Sequence, residues 1–420
     1  MVVFLTGASG FIGQHLAQAL RAAGHRVIAG VHRRSVDDGD AVEVDFTRDF
    51  EPAQWRPRLR GVDAVINAVG LIRETRATTF DAVHVRAPRA LFAAAAEVGV
   101  RRVIQISALG ADDSAASEYH ISKRRADDFL SAMPLSSAIV QPSLVYGRGG
   151  GSARLFDALA SLPLLPLPDG GMQQIQPIHI DDLVAAVVAL LEREAWRVGR
   201  VPLVGPEPIA LRDYVVALRG AMGLPPAHAF TVPRPLLAAA ARVGDRLPGL
   251  LLDSATLGML ERGNTADARA TRQLLGHEPR PPARFIGAGE RRLVRNGAQL
   301  QWLAPLLRVS IAVMWIVTGV VSLAVYPVAE SYALLARTGI TGRAAPLALG
   351  AAALLDIALG IAALALRRRW VWWAQIVLIL AYTAIITWRL PEYWAHPYGP
   401  VLKNVPILAA LLLLAHLEER

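Results

Sequence analysis

The sequence predicts an α/β domain built on a doubly wound parallel sheet, followed by an all-α four-helix transmembrane domain. Three observations lead there. An apolar strand, Met1–Leu5, runs into a glycine-rich turn and then a helical pattern; strand-like and helix-like segments alternate from there to about residue 190; and the last 120 or so residues carry long apolar runs.

The opening stretch reads Thr6-Gly7-Ala8-Ser9-Gly10-Phe11-Ile12-Gly13, with Leu16, Ala17 and Leu20 on the face of the helix that follows. Glycines allow the tight turn and let backbone approach phosphates, while a helix N-terminus offers unpaired N–H groups and the positive end of its dipole. The stretch is expected to bind a pyrophosphate, because it follows a strand and opens a helix.

Composition narrows the rest. The 420 residues suggest two or three domains, and 53% hydrophobic residues exceed what a soluble chain of this size needs. There is no cysteine. Disulfides, thiol nucleophiles and thiolate-held zinc or iron–sulfur centres are therefore excluded. No cleaved leader is expected, since the chain enters a core strand at once. The formal net charge of +9 comes from scattered arginines, many of them flanking apolar segments. That suits a surface near anionic lipid; no nucleic-acid partner is expected.

Arg26–Val31 reads as a second strand ending in His32-Arg33-Arg34. This is where the ribose 2′ position of a dinucleotide would sit, and a basic strand end suits a 2′-phosphate. NADP(H) is the preferred cofactor on this reading, with NAD(H) the alternative. Val42–Phe46 reads as a third strand, with Asp45 placed to meet an adenine amino group. Asp63–Gly70 is a fourth strand ending in small residues, and Phe80–Val98 a long helix with Val83, Ala87, Leu91 and Ala95 on one face and a kink at Pro88. Arg101–Ser107 is a fifth strand that leaves Ser107 at the edge where ligands bind in open α/β sheets.

The chemistry is expected in Tyr119-His120-Ile121-Ser122-Lys123. A spacing of four puts phenol and ammonium on one helical face, and the ammonium is expected to lower the phenol pKa towards neutrality. Such a phenol can move a proton to or from a substrate oxygen while hydride passes to or from a nicotinamide.

Thr6–Gly13, Asn67–Gly70, Ser107, the Tyr119/Lys123 pair and Gln141-Pro142-Ser143-Leu144-Val145-Tyr146-Gly147 together resemble the extended short-chain dehydrogenase/reductase family over roughly residues 1–290. Ile106–Ala111 and Gln176–Asp182 resemble its atypical, epimerase/dehydratase-like branch that includes a complex I accessory subunit. The resemblance implies a Rossmann fold, bound NAD(P)(H), Tyr119 as acid/base, Lys123 on the nicotinamide ribose, and Pro142 near the nicotinamide. Ser107 is the tentative substrate partner. The candidate cofactor contacts are Gly7, Ser9, Gly10, Phe11, Ile12, Gly13, His32, Arg33, Asp45, Phe46, Ala68, Lys123 and Pro142, and no metal is expected. Two positions depart from the family pattern: Leu109 stands where a serine or threonine is usual, and His84 where an asparagine is usual.

Residues from about 148 to 290 are expected to form a substrate subdomain, with Asp181-Asp182 capping a helix over Leu183–Leu191. Its apolar stretches, Leu155–Leu167 and Pro233–Leu252, suit an apolar substrate or membrane contact as well as plain core. Beyond it lie apolar runs at 306–326, 345–366, 370–388 and 401–417, near the length a helix needs to cross a bilayer. Arg367-Arg368-Arg369 and Arg291, Arg292 and Arg295 place the N-terminal domain and the C-terminus in the cytoplasm by the positive-inside rule. Trp370, Trp372, Trp373 and Trp388 bracket the third run. Leu335–Gly342, Leu354-Leu355-Asp356 and Leu390–Asn404 resemble the DoxX-like membrane family over roughly 303–420. Asp356 inside the second run is a functional candidate, because a carboxylate is costly there.

The expected activity is that of a membrane-tethered oxidoreductase acting on a lipophilic carbonyl, quinone or isoprenoid. Its alternatives are a non-catalytic NAD(P)H-binding assembly or redox-sensing subunit of a membrane complex, and a nucleotide-sugar epimerase or dehydratase.

Overall fold

The computed structural model describes residues 1–32, 40–193, 199–246, 258 and 262–418. The chain divides into two compact units, Met1–Ala298 and Gln299–Arg420.

In the first unit, β1 (Val2–Thr6), β2 (Arg26–Val31), β3 (Ala41–Glu43), β4 (Ala64–Asn67), β5 (Arg102–Ile106), β6 (Ser137–Pro142) and β11 (Arg200–Leu203) form a seven-stranded sheet. Every pairing in it is parallel, and the order is β11-β6-β5-β4-β1-β2-β3. The order reverses between β1 and β4, the place where this class of sheet opens a ligand crevice.

Strand residues alternate between two cores, as the pleat requires. Val3, Leu5, Ala64, Ile66, Ile104 and Val140 face α1 (Phe11–Ala22) and a helix at Ile180–Glu192. Phe4, Val65, Val103 and Ile139 face α2 (Pro52–Trp55), α3 (Ala87–Glu97) and α4 (Glu118–Ser131). Both faces are covered, which explains why these strands read as unbroken apolar runs.

The expected third strand is shorter than its sequence suggested. Thr47 turns the chain back on Asp45 by donating from its N and its Oγ1 to Asp45 Oδ1, at 2.8 and 2.6 Å. The expected helix over 80–98 begins as a π-helical stretch, Asp81–Arg86, before α3. Pro88 has no N–H for the His84 carbonyl, so the chain widens there instead of kinking. Val83, Ala87, Leu91 and Ala95 are all buried, as their spacing predicts. The helix expected at Leu183–Leu191 starts earlier, at Ile180, with the His179 ring and not the two aspartates accepting at its N-terminus, from Asp181 N at 3.2 Å.

Residues beyond β6 build a third core around Tyr146, Phe156, Tyr214, Leu218 and Phe285. It joins short sheets made by β7 (Val145–Tyr146), β8 (Leu164–Pro168), β9 (Gln174–Ile175), β10 (Ile178–His179), β12 (Ile209–Ala210) and β13 (His228–Val232). Most of the apolar stretch at 155–167 is spent in this core. Leu164, Met172, Phe230 and Leu236 remain exposed.

The second unit is a bundle of apolar helices. Arg291–Val325, Ala344–Ala365 and Arg369–Arg389 are long and apolar enough to cross a bilayer. The fourth expected span is a helix of 14 residues, Asn404–Leu417, short of the length a perpendicular crossing takes. A further helix, Val328–Arg337, precedes the second. Small residues let the helices close on one another. A β-carbon on Gly319 would lie 2.5 Å from Ala353 O, and one on Gly360 2.6 Å from Ile316 Cγ1. Trp370, Trp373 and Trp388 point outward, but Trp372 does not belong to that belt. It is buried, with the Arg308 guanidinium 4.9 Å from its ring centre.

Candidate functional site

The glycine turn is shaped by contacts that only glycine permits. Gly7 has φ +73°, and a β-carbon on it would lie 2.8 Å from Ala68 C and O at the end of β4. A β-carbon on Gly13 would lie 2.0 Å from Gly7 O, so α1 can pack against the turn only without one. Gly10 N donates to Gly7 O at 2.9 Å and no side chain caps α1. The first N–H groups of that helix are therefore left to an anion, and the cradle fits a dinucleotide pyrophosphate. Ser9 and Gly10 are exposed, Phe11 and Ile12 half-buried, and Phe11 packs against Gly147 and Gly150 across the crevice.

The adenosine end is less complete. His32 is exposed, its Nδ1 4.0 Å from Asp45 Oδ1. Arg33 and Arg34 lie outside the described residues. Asp45 holds Thr47 as above, and Phe46 is buried edge-on against Trp55, so backbone is what it can present to a nucleotide. Ala68 is half-buried beside Gly7; Pro142 is buried at the end of β6, its carbonyl accepting from Leu109 N at 2.9 Å.

Beneath the strand ends runs a polar ladder that sequence reasoning missed. Thr6 Oγ1 donates to Asn67 Oδ1 at 2.6 Å, and Asn67 Nδ2 to Gln105 Oε1 at 2.7 Å. All three side chains are buried on neighbouring strands in register.

Lys123 and Ser107 meet the ends of β4 and β5, and Tyr119 lies one turn before Lys123 on α4. Lys123 is buried and donates from Nζ to Val69 O at 3.2 Å and Ile106 O at 3.1 Å, leaving one N–H of three. Gly70 gives it room: a β-carbon there would lie 3.0 Å from Nζ. The Tyr119 ring is enclosed by Phe80, His84 and His120, with centroids at 6.1, 5.6 and 5.1 Å. Enclosure reverses the expected tuning of the phenol. Loss of water raises its pKa to about 12, and the nearby Asp127 carboxylate adds to the rise. Tyr119 is thus held as a protonated acid across the physiological range.

His84 is buried. Its Nε2 accepts from Leu71 N at 3.0 Å, and its Nδ1 pairs with Ser122 Oγ at 2.9 Å. Burial, helped by the Lys123 charge, presses its pKa down to about 2, so the ring is neutral. Asp127, one turn beyond Lys123, is fully buried and accepts from the Ser107 hydroxyl. It sits at the next step of the same spacing of four that singled out Tyr119 and Lys123, and that spacing was the available signal. Arg262 also escaped notice. It ties the loop after β5, donating to Gly110 O at 2.8 Å, Asp112 Oδ1 at 2.7 Å and Ser114 Oγ at 2.6 Å. Among the described residues no cluster of side chains could hold a metal ion.

Comparison with known proteins agrees with this division. Residues 3–205 match the NAD dependent epimerase/dehydratase family and residues 312–412 the DoxX-like family. The chain is 34% identical over 192 residues to a ceramide reductase of Caulobacter vibrioides, covering 45% of this chain and 60% of that one. It is 30% identical over 220 residues to the mitochondrial NADH dehydrogenase [ubiquinone] 1 alpha subcomplex subunit 9 of Arabidopsis thaliana, covering 49% and 54%. The matched stretch thus spans little more than half of each relative. A nucleoside-diphosphate-sugar epimerase from Staphylococcus aureus shares the fold with a TM-score of 0.56 at 20% identity, over 68% of this chain and 99% of its own. The chain joins a NAD-binding, epimerase/dehydratase-like Rossmann domain to a DoxX-like region of membrane-spanning helices.

Proposed function

We propose that this chain is a membrane-held, nicotinamide-dependent oxidoreductase that reduces a lipophilic carbonyl, quinone or isoprenoid-type substrate. The observation that carries the reading is the buried Lys123 bound to the ends of β4 and β5, one turn after Tyr119 on α4 and beside Ser107 at the end of β5, in a chain whose other unit turns apolar faces outward. The similarity to a protein named a ceramide reductase supports a lipid substrate.

When bound, NAD(P)H would supply hydride. The turn Gly7–Gly13 and the start of α1 would hold its pyrophosphate, and the remaining N–H of Lys123 its ribose. Ser107 would orient the substrate oxygen, and Tyr119 would give that oxygen its proton. Burial keeps the phenol protonated at neutral pH, the form in which it can give a proton to the substrate oxygen. His32 and the adjacent Arg33 and Arg34 make NADP(H) our preferred cofactor; the family match supports NAD(H) without separating the two. The arginines flanking the apolar segments support a cytoplasmic N-terminal domain and C-terminus, provided that the short helix Asn404–Leu417 also crosses.

A second reading, a cofactor-binding assembly or redox-sensing subunit of a membrane complex, is favoured by Leu109, by His84 and by the likeness to an NADH dehydrogenase subunit. A third, nucleotide-sugar epimerisation, is favoured by the shared fold alone. Taken together, the comparisons support these two more than they support a lipophilic substrate. The test is fluorescence titration of the detergent-solubilised full chain with NADPH and NADH, then turnover with a long-chain ketone, a short-chain quinone and a UDP-sugar, beside Tyr119→Phe. Reduction of ketone or quinone, lost in Tyr119→Phe with cofactor still bound, supports the first reading. Binding without turnover supports the second, and conversion of the UDP-sugar without net cofactor oxidation the third.

A further inference from the structure

Asp127 and Ser107 meet at the end of β5, and nothing said of the site so far explains the acid. Asp127 is fully buried; its Oδ2 takes the Ser107 hydroxyl, and its Oδ1 finds no hydrogen-bond partner among the described residues. A buried carboxylate with one oxygen unpaired by protein groups is an expensive arrangement in its charged form. Ala108 and Leu109, which follow, carry no hydroxyl, so Ser107 is the hydroxyl that the end of β5 offers.

We propose that Asp127 is a positioning residue of this site that acts through Ser107, its protonation deciding whether the Ser107 hydroxyl can donate to the substrate oxygen. The inference rests on the reductase reading above. A hydroxyl carries one hydrogen. While Asp127 is ionised, Oδ2 claims that hydrogen and Ser107 can only accept from its outer side. Once Asp127 carries a proton on Oδ2, it donates to Ser107 Oγ. The serine hydrogen is then free to turn outward and polarise a carbonyl.

The charges around Asp127 define what it feels. Burial, the strongest influence, and Asp128 favour the acid, whereas the Ser107 hydrogen bond, Lys123 on its own helix and Arg200 on β11 favour the carboxylate, and the balance lies above the ordinary carboxyl range. Arg200 is itself tied to Asp128 at 2.5 Å. From the elements packed against α4, Arg86 and Arg89 stack over Phe50 and Phe129, and His84 is neutral. Tyr119 adds no charge below pH 10. No charged group in this set sits on Oδ1.

The experiment uses the full chain in detergent and two readouts. The first is the infrared C=O stretch of protonated carboxyls, taken as wild type minus Asp127→Asn. The expected result is one band present at pH 5 and gone by pH 9, shifted in frequency in Ser107→Ala because its partner is lost. Absence of the band across that range, or a band indifferent to Ser107→Ala, overturns the proposal whether or not the protein turns anything over. The second readout is the pH profile of ketone reduction. Wild type should fall as pH rises through the Asp127 ionisation. Asp127→Asn, whose amide donates to Ser107 at every pH, should lose that step and keep only the later titration of Lys123, whose pKa burial lowers, and Ser107→Ala should lose about a hundredfold, as for a missing oxyanion donor. Profiles of wild type and Asp127→Asn that titrate alike overturn the proposal. An absence of any reduction with the infrared band intact counts against the reductase reading and leaves the Asp127–Ser107 coupling standing.

Discussion

The two units bury polar side chains in opposite surroundings. In the first, the sheet edge collects Thr6, Asn67, Gln105, Ser107, Lys123 and Asp127 into a connected set of hydrogen bonds, with Gln105 Nε2 and Asp127 Oδ1 left unpaired. In the second, Gln375 accepts from Trp315 Nε1 at 2.8 Å and Arg308 is bound by Ala363 O and Glu418, but Asp356 Oδ1 and Trp372 Nε1 have no partner. The outsides differ too: Leu306, Val309, Val313, Val317 and Val320 form an exposed apolar stripe on one helix of the second unit. One unit is sorted for water, with its polar groups gathered at a ligand edge. The other is sorted for hydrocarbon, where helix contact depends on small residues and close packing more than on the expulsion of water.

The sharpest way to break this comparison is to put a side chain where each unit tolerates none. Gly13→Ala should cost about 3 kcal/mol, the upper end of overpacking, because the new carbon meets backbone that cannot move aside. It should also abolish NADH and NADPH binding. Gly287→Ala, with nothing within 4 Å, should stay within about 0.5 kcal/mol. Equal losses in the two variants, by denaturant unfolding and fluorescence titration, would refute the shape argument for the turn. In the second unit, Gly360→Leu should cost about 2 kcal/mol, since Ile316 can yield part of the space and Ala312 O cannot. Unfolding in a denaturing detergent, followed by circular dichroism, reads that loss; an unchanged midpoint would mean these two helices do not pack as described.

What the sequence made legible follows the same divide. Strands β1, β2, β4 and β5 were readable because each is a local apolar run that ends at a turn, and Arg26–Val31 was bounded to the residue. Tyr119 and Lys123 were readable because helical spacing alone puts them on one face. Asp127 was not, because in Lys-Arg-Arg-Ala-Asp-Asp it looks like part of a solvated charge run, and only the packing of α4 on the sheet buries it. The phenol pKa was expected to move the wrong way for a related reason. Spacing places the ammonium on the right face, but it does not show that Phe80, His84 and His120 pack around a half-buried ring. In the second unit, hydropathy located the apolar runs well and gave little on which faces turn inward, hence the misplacement of Trp372 among the outward tryptophans.

His84 gives an effect of definite sign. Its folded pKa is pressed down to about 2 from an ordinary 6.5, so the fold prefers the neutral ring. That preference contributes its full stability above about pH 6.5 and loses it as pH falls towards 2, at no more than about 1.4 kcal/mol per pH unit. His84→Asn, which keeps an acceptor for Leu71 N and a donor for Ser122, should flatten the acid limb of the stability curve. Parallel limbs in wild type and variant, by urea unfolding from pH 7 to 4, would show that His84 is not the group responsible.

The smallest expected effect tests the contrast most directly, because it asks whether the buried acid of the second unit is held as those of the first are. Asp356 is buried in Ala344–Ala365 with one oxygen unpartnered. Replacing a poorly satisfied buried polar group by an apolar one of similar volume is neutral or stabilising, whereas removing one member of a satisfied set leaves the others bare. Asp356→Leu should therefore leave the unfolding midpoint in denaturing detergent within about 1 kcal/mol of wild type, or raise it. Arg308→Leu, which strips a donor from Ala363 O and a cation from Glu418, should lower it. If Asp356→Leu falls as far as Arg308→Leu, the acid is a structural member of the bundle. If it does not, stability gives no reason for a carboxyl at that depth, and its position points to ligand or proton contact.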